Sequence, residues 1–521
     1  MLNYPIGIQS FEDLRNSKCV YVDKTDYVYN LAYHGKTYFL ARPRRFGKSL
    51  LCTTLRSFFE GKKELFEGLK ICELEKNWIK YPVLHIPLAS GNFAKQGTLY
   101  KRLSKCLSKY EKQYLGATND NEDDLGIRLQ CDVEEVFDKT GLQTVMIVDE
   151  YDNPLINSKH LEEDKEIYRG FFTVLKDYDE YFRFVFLTGV TKFAKTSIFS
   201  GNNQPDDISL DPNFSAICGI THEEMMSYFS DEIKAFADKK KISTEQMVAL
   251  LNKWYDCYLF HEDGIKVLNP VSLFNALKKT DLQNYWYETG TPTVLIKRIK
   301  NSTFDITSLK GDIEYPKDKL KDYKDDEFRT DIVPLLYYSG YLTIKSFIEE
   351  GRLYVLGFPD YEVETSFFNS LAEEFYGAPS EQNGFNYSDF LYDFHKGDIE
   401  SVIERMKALF CSLPYATDKS LRLIERDFQN VIYLVFTILG EFIISEAHFS
   451  KGRADSILVN KEYVYLFEFK IDQDAQTALA QINTKNYAGR FKMDNRKVIK
   501  IGVSFSSAEK NIVDWVAEED K

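Results

Sequence analysis

A chain of 521 residues exceeds what one hydrophobic core organises and points to two to four domains. Its 44% hydrophobic content, rich in tyrosine and phenylalanine, excludes a largely disordered protein. A net charge of -14 excludes a surface attractive to DNA or membrane as a whole and leaves room only for a local basic groove.

In chain order, apolar β-branched runs alternate with amphipathic stretches, which predicts α/β architecture. Lys36 to Ala41 (KTYFLA) reads as a short strand and Ser49 to Gly61 as a helix closed by Gly61. YPVLHIPLA reads as a second strand, and Asn119 to Asp124 as a solvated acidic loop. TVMIVDEYD and FRFVFLTGV are nearly all apolar, as buried parallel strands with both faces covered should be. From about Gly219 the pattern turns mostly helical through KWYDCYLF and VLNPVSLFNAL, then reaches the lysine- and aspartate-rich stretch Lys310 to Asp326. PLLYYSGYLTIK and RLYVLGFPDYEV read as a strand pair. A third block opens near Phe367 with helices to about Leu439. GRADSILV, a polar turn at Asn460-Lys461-Glu462, and YVYLFEFKI follow, then a helix and a final strand. The expected boundaries fall near residues 218 and 368, giving domains 1-218, 219-367 and 368-521.

The eight cysteines form no CxxC pair, so reduced core thiols are expected rather than a zinc ribbon or a disulfide framework. The opening MLNYPIGIQS lacks a basic and apolar leader pattern. The most apolar run, Val431 to Ile444, is interrupted by Gly440 and Glu441 and is too short to span a bilayer. A soluble cytoplasmic protein with no membrane partner is expected.

LARPRRFGKSLL, from Leu40, ends like a phosphate-binding loop in Gly47-Lys48-Ser49, yet Arg42 stands where the first glycine is wanted. Strand, turn and helix start occur in the order such a loop needs, so inward N–H groups and the helix dipole favour an anion. Lys48 would bind the β- and γ-phosphates of ATP and Ser49 would hold Mg²⁺. Alone, FGKSLL reads equally as a basic loop capping a helix. The aliphatic run Val145 to Val148, ending in Asp149-Glu150 about a hundred residues on, turns the balance to a nucleotide site. There Asp149 serves the metal and Glu150 polarises water, a Walker B arrangement. Thr188, ending the next apolar strand, is placed as a sensor of the γ-phosphate. Pro43 fixes its φ, and Arg44 and Arg45 add positive charge. Arg45 has two partners open to it, a phosphate and Asp152. Arg169 and Lys192 are guesses for a trans-acting arginine finger.

The C-terminal signal is Asp455 followed by Glu468-Phe469-Lys470. Residues two apart in a strand share a face, so Glu468 and Lys470 point together while Phe467 and Phe469 enter a core. The turn at 460-462 returns the strand of Asp455 beside them. Two carboxylates and a lysine suit metal-dependent phosphodiester hydrolysis with Mg²⁺, or Mn²⁺, at Asp455 and Glu468. Lys470 orients water or steadies charge, and Glu425 is a further ligand candidate. A surface salt bridge is the bland reading of a D…ExK pattern; the apolar strand around Glu468 argues against it. Lys485 to Lys500, with six basic residues against Asp494, reads either as a phosphate-tracking face or as a solvated one. His448 reads as structural.

YPIGIQSFEDLR, YVDKT, RPRRFGKSLL, IVDEYD and LTGVTKF together resemble the AAA-ATPase-like family of bacterial proteins, within the P-loop NTPases. The resemblance covers roughly Leu2 to Gly219, and it makes the Arg-Pro-Arg-Arg-Phe-Gly-Lys-Ser loop a family trait. WYDCYLF and NPVSLFNAL resemble the family's helical extension, with Cys257 in place of a usual glycine. GRADSIL, YLFEFK and QINTKNY resemble the PD-(D/E)xK nuclease superfamily domain that commonly follows this ATPase module, over about Leu371 to Trp515. Asp455, Glu468 and Lys470 match its core motif, and Gln481 and Tyr487 match the helix after it. The resemblance implies a P-loop NTPase parallel sheet, a helical or winged-helix-like middle domain, a C-terminal nuclease-like α/β domain, and ATP hydrolysis. The function expected is an ATP-dependent or nucleotide-regulated nuclease acting on DNA, with defence against foreign DNA as its role and motion relayed through Tyr341 to Val363. One alternative is a regulatory ATPase switch whose C-terminal domain binds nucleic acid or protein without cutting; another is a scaffold with an inactive P-loop. A homo-oligomer of unspecified number accompanies the AAA-type reading.

Overall fold

Four of the apolar runs become neighbours in one parallel sheet in a computed structural model of the chain. It describes residues 2–119, 122–191, 205–286, 295–296, 298–299, 304, 309, 313–321, 331–376, 387–412, 442–449, 452–459, 462–491 and 496–520. They form two units, Met1–Thr291 with Asp312–Val363, and Pro292–Gly311 with Glu364–Lys521.

In the first unit, β1 (Thr37–Ala41), β2 (Val83–Pro87), β3 (Thr144–Asp149), β4 (Phe182–Gly189) and the short β5 (Asp206–Asp207) pair in the order β2-β3-β4-β1-β5. All these pairings are parallel. Parallel neighbours require crossovers, supplied by α1 (Lys48–Phe59), α2 (Thr98–Tyr114), α3 (Leu125–Thr140) and α4 (Leu161–Asp177). Every residue of β3 is buried, as its unbroken apolar run demands. Leu51, Cys52, Leu55, Phe58 and Phe59 form the buried face of α1 at helical spacing. β4 lies between β1 and β3, with Leu40 opposite Thr188 and Val148 opposite Leu187. The phosphate loop, Asp149 and Thr188 therefore emerge together at the carboxyl ends of the strands, where ligands of open α/β sheets bind.

Beyond the sheet, α5 (His222–Lys240), α6 (Thr244–Tyr255) and α7 (Pro270–Lys279) share a core of Phe229, Ile233, Phe236, Met247 and Leu273, joined by Tyr4 from the N-terminal segment. Thr221 and Glu224 form a capping box at the start of α5. Asn269 caps α7 just ahead of Pro270. The helical reading of this region misses a small antiparallel sheet, β6 (Ile220–Thr221), β7 (Asp256–Tyr258) and β8 (Val267–Leu268), in the order β6-β8-β7. KWYDCYLF is thus part helix and part strand, changing over after Tyr255.

The expected strand pair near residue 340 is half right. β10 (Thr343–Ile348) and β11 (Leu353–Gly357) are antiparallel, with β9 (Ile313–Pro316) on the far side of β11. However, Ile332–Ser339, which precedes them, is a helix, α8. Ile332 to Tyr338 are all buried, so the run has no polar side whose period tells helix from strand. The ends decide it. Asp331 accepts from Val333 N–H, and Gly340 closes the helix at φ 89°.

The second unit contains most of α9 (Tyr361–Tyr376), together with α10 (Tyr387–Lys396) and α11 (Ile399–Ser412). Its sheet takes β12 (Phe442–Phe449), β13 (Gly452–Val459), β14 (Tyr463–Ile471), β15 (Lys497–Ser506) and β16 (Asn511–Glu519) in sequence order. All pairs are antiparallel except β14–β15, which is parallel and is bridged by α12 (Ala475–Lys485). Two strands end the chain where one was expected. The helices expected up to Leu439 are present to Ser412; residues 413–441 lie outside the described residues. Among the described residues no helix is long and apolar enough to cross a membrane.

Candidate functional site

The phosphate loop closes on Gly47, whose φ of 95° is the left-handed turn that a side chain disfavours. No side chain caps α1, so its first N–H groups face the place a phosphate would take. Ser49 follows on the first turn, half-buried. Lys48 is 4% exposed, and its Nζ donates to the carbonyls of Arg42 at 2.8 Å and Pro43 at 2.9 Å. Burial lowers the pKa of its ammonium group, against the pull of Glu150, Asp149 and Asp152.

Arg42 replaces the missing glycine by a different device. Its side chain is 1% exposed and turns beneath the loop. One guanidinium nitrogen donates to Ala41 O at 2.9 Å and Ser209 O at 2.7 Å, the other to Phe214 O at 3.0 Å. The group lies 4.0 Å above the Phe260 ring. Trp286 Nε1 donates to Arg44 O at 3.0 Å, and Pro43 packs against Gly340, where a Cβ would come within 2.6 Å. The loop is pinned from outside, whereas a glycine would have relaxed it from inside.

Asp149 ends β3 almost fully buried, and its Oδ1 accepts from Thr188 Oγ1 at 2.8 Å. Glu150 adopts a left-handed φ of 55° and donates its N–H to Thr188 Oγ1 at 3.3 Å. Burial raises the Glu150 carboxyl, with Lys48 opposing. Asp152 is engaged through Oδ2 by Val190 N, Thr191 N and Thr191 Oγ1. Arg45 is exposed at φ 67° and forms no ion pair with it, which removes that one of its two expected partners. Arg169 is paired with Glu166 on its own helix, and Lys192 lies outside the described residues.

Beside Gly47 opens a small, mainly apolar pocket of about 90 Å³, lined by Val20, Val22, Leu50, Ile217, Pro270 and Phe274. Its apolar lining suits the face of a flat heterocycle adjoining a phosphate site. Lys24 closes one wall, donating to Glu224 at 2.7 Å. Reading the loop alone missed all of these but Leu50, because they come from three other stretches, near residues 20, 217 and 270. The donor set therefore fits a nucleoside triphosphate: an uncapped helix start, a buried lysine, a buried acid and an apolar slot.

In the second unit, Glu468 sits on β14 with 1% exposure. Its Oε1 accepts from Lys470 Nζ at 3.2 Å and from Gln481 Nε2 on α12. Phe467 and Phe469 stack on the opposite face with centroids 5.8 Å apart, as the period of two requires. Gly502 stands opposite Glu468 on β15. A Cβ there would approach Leu479 N to 2.6 Å and overlap Ala475 O, so α12 rests directly on the sheet and Gln481 reaches the acid. The pairing of β13 with β14 runs to Ser456 opposite Phe467; Asp455 and Glu468 are the next residues of the two strands. The side chains of Asp455 and His448 lie outside the described residues, as do Glu425 and the turn residues Asn460 and Lys461. A buried carboxylate flanked by an ammonium and an amide fits a divalent ion and a phosphate. The basic stretch 485–500 is not a free face throughout. Lys500 is buried against Asp520 and Asn483, and Lys497 lies 3.9 Å from Glu519. His261, Glu262 and Asp263 also converge, but Glu262 is already held by Lys317 and Tyr354.

Residues 5–199 match a family described as predicted AAA-ATPase, and residues 423–515 match one described as PD-(D/E)XK nuclease superfamily. Over 526 aligned residues, 99% of this chain and 98% of the relative, the sequence is 31% identical to a protein of Azotobacter chroococcum mcd 1 described as an uncharacterized protein in the vnfD 5' region. The chain belongs to this family of AAA-ATPase-like proteins with a PD-(D/E)XK nuclease superfamily domain. Among solved structures, Cdc6p from Pyrobaculum aerophilum matches 69% of this chain and 94% of its own at 12% identity. Its TM-score of 0.24 is too low to carry an argument.

Proposed function

We propose that the chain binds and hydrolyses ATP at the Gly47–Ser49 loop and cleaves DNA at the Asp455–Glu468–Lys470 site under nucleotide control. Arg45, Gly47 and Lys48 would hold the phosphates, Ser49 and Asp149 would hold Mg²⁺, Glu150 would polarise the attacking water, and Thr188 would keep Asp149 in place. A divalent ion bound at Asp455 and Glu468, with Glu425 as a further ligand, would supply charge neutralisation and a more acidic water. Lys470 would steady charge developing on the scissile phosphate. The three-part division at residues 218 and 368, a homo-oligomer, a cytoplasmic location and a role in defence belong to the same reading.

The observation that carries it is Glu468 held between Lys470, on the same strand face at 3.2 Å, and Gln481 from α12. A surface salt bridge would not be buried to 1%. The test is DNA cleavage by the purified chain with Mg²⁺ or Mn²⁺, alongside the Lys470→Ala variant. Loss of cleavage in the variant is expected; persistence at the native rate removes the assignment. ATP turnover by the native chain and by Lys48→Ala tests the other half separately, and equal rates would remove it.

A further inference from the structure

Helix α2 carries a charge pattern that neither site uses. Lys101, Lys105 and Lys109 recur every four residues and Lys112 follows three later, so all four lie within about 80° of one helical face. All four are exposed, while Leu99, Leu103, Leu107 and Tyr110 form the buried opposite face. None of the four enters an ion pair among the described residues. The single acid of the helix, Glu111, is turned inward onto Arg128 at 2.6 Å. Glu60, whose charge opposes that of Lys109 at His85, is itself held by Arg56 and Lys62. Arg102, Lys109 and Lys105 all pull against the burial that raises the Cys106 thiol.

On a chain of net charge -14 this stripe is a local reversal of sign. Its lysines stand about 6 Å apart along the axis in a row about 16 Å long. A duplex strand offers one phosphate about every 3.4 Å of its axis, so each lysine can meet one. We propose that the Lys101–Lys105–Lys109–Lys112 face of α2 docks the phosphate backbone of double-stranded DNA without reading its sequence. The proposal rests on the reading that the chain acts on DNA, and it adds where the duplex is held.

The test replaces the four lysines by glutamine, which preserves length and helix propensity. A charge-matched control replaces Lys176, Lys241, Lys266 and Lys278, four other exposed lysines. Duplex binding is followed by fluorescence anisotropy in EDTA from about 50 to about 200 mM salt. In the stripe variant, affinity should fall and the slope of log K against log salt should shrink by about 0.9 per engaged lysine, up to about 3.6. The control should keep the native slope, and DNA-independent ATP turnover should be unchanged in both. Native affinity and slope in the stripe variant overturn the proposal, as does an equal loss in the control, which would be a net-charge effect. Mg²⁺-dependent cutting of the same duplex separates the two claims. If the stripe variant cuts and binds like the native chain, the docking surface falls and the nuclease reading stands. A native chain that neither binds nor cuts overturns both.

Discussion

The Thr188 hydroxyl donates to Asp149 Oδ1 at 2.8 Å and accepts the Glu150 N–H at 3.3 Å, so the tip of β4 orients the acidic pair at the tip of β3. Thr188→Val keeps the shape but leaves a buried carboxylate without its donor. ATP turnover should fall about tenfold or more while nucleotide affinity changes only a few-fold. Thr188→Ser should recover most of the rate. Phosphate release and equilibrium binding measure the two; a native rate in the valine variant contradicts this role.

Restoring the missing glycine should not repair the loop. Arg42→Gly removes a guanidinium that satisfies three carbonyls and packs on Phe260. It leaves those acceptors buried around a cavity. We expect a loss of about 3–5 kcal/mol in unfolding free energy together with weakened ATP binding. Denaturant unfolding checks the first. Unchanged stability with improved ATP binding would show that the arginine is a dispensable substitution.

Gly502→Ala tests how α12 is set above its sheet. The added methyl would press on Leu479 N and Ala475 O, so the helix must lift and carry Gln481 away from Glu468. A displacement near 1 Å at such a site costs about a hundredfold in rate. Cleavage should fall by that order in Gly502→Ala and in Gln481→Ala. The double variant should be little worse than either one, because both act through one contact. Fully multiplicative losses would separate Gly502 from Gln481.

Acidity should stabilise the first unit through Asp132. Burial, then the nearby Glu111 charge, pushes this carboxyl up to about 8 from its ordinary 3.8, and its Oδ2 has no hydrogen-bond partner. A folded pKa above the unfolded one means the favourable contribution is complete below about 3.8 and is lost as pH climbs towards about 8. Asp132→Asn removes that loss. Its stability advantage over the native chain should grow across this window by up to about 1.4 kcal/mol per pH unit. Thermal unfolding between mildly acid and mildly alkaline buffers checks the trend; an advantage constant with pH would contradict it.

Much was legible in local patterns. The run before Asp149 is short and rich in β-branched residues, which favours a strand buried on both sides, and all six residues of β3 are buried. Glu468 and Lys470 had to share a face, because strand side chains alternate. The helix at Ile332–Ser339 was illegible, because an apolar run buried all round shows neither period. The α2 lysines recur at four-residue spacing in the sequence, but only the packing of Leu99, Leu103, Leu107 and Tyr110 against the core fixes that face as exposed.

Sequence alone determined which chemistry the chain carries: a lysine and serine at a helix start, an acid at the end of an apolar strand, and an acid and lysine two apart in another. Each is a matter of neighbours along the backbone, where geometry is set by φ, ψ and side-chain period. Tertiary structure alone decided what surrounds those groups. Thr188 reaches Asp149 because β4 inserts between β1 and β3, Arg42 reaches Ser209, Phe214 and Phe260 beneath the loop, and the apolar slot is assembled from residues near 20, 50, 217 and 270. Those partners are far apart in the chain, and only burial of shared apolar surface brings them within hydrogen-bonding distance.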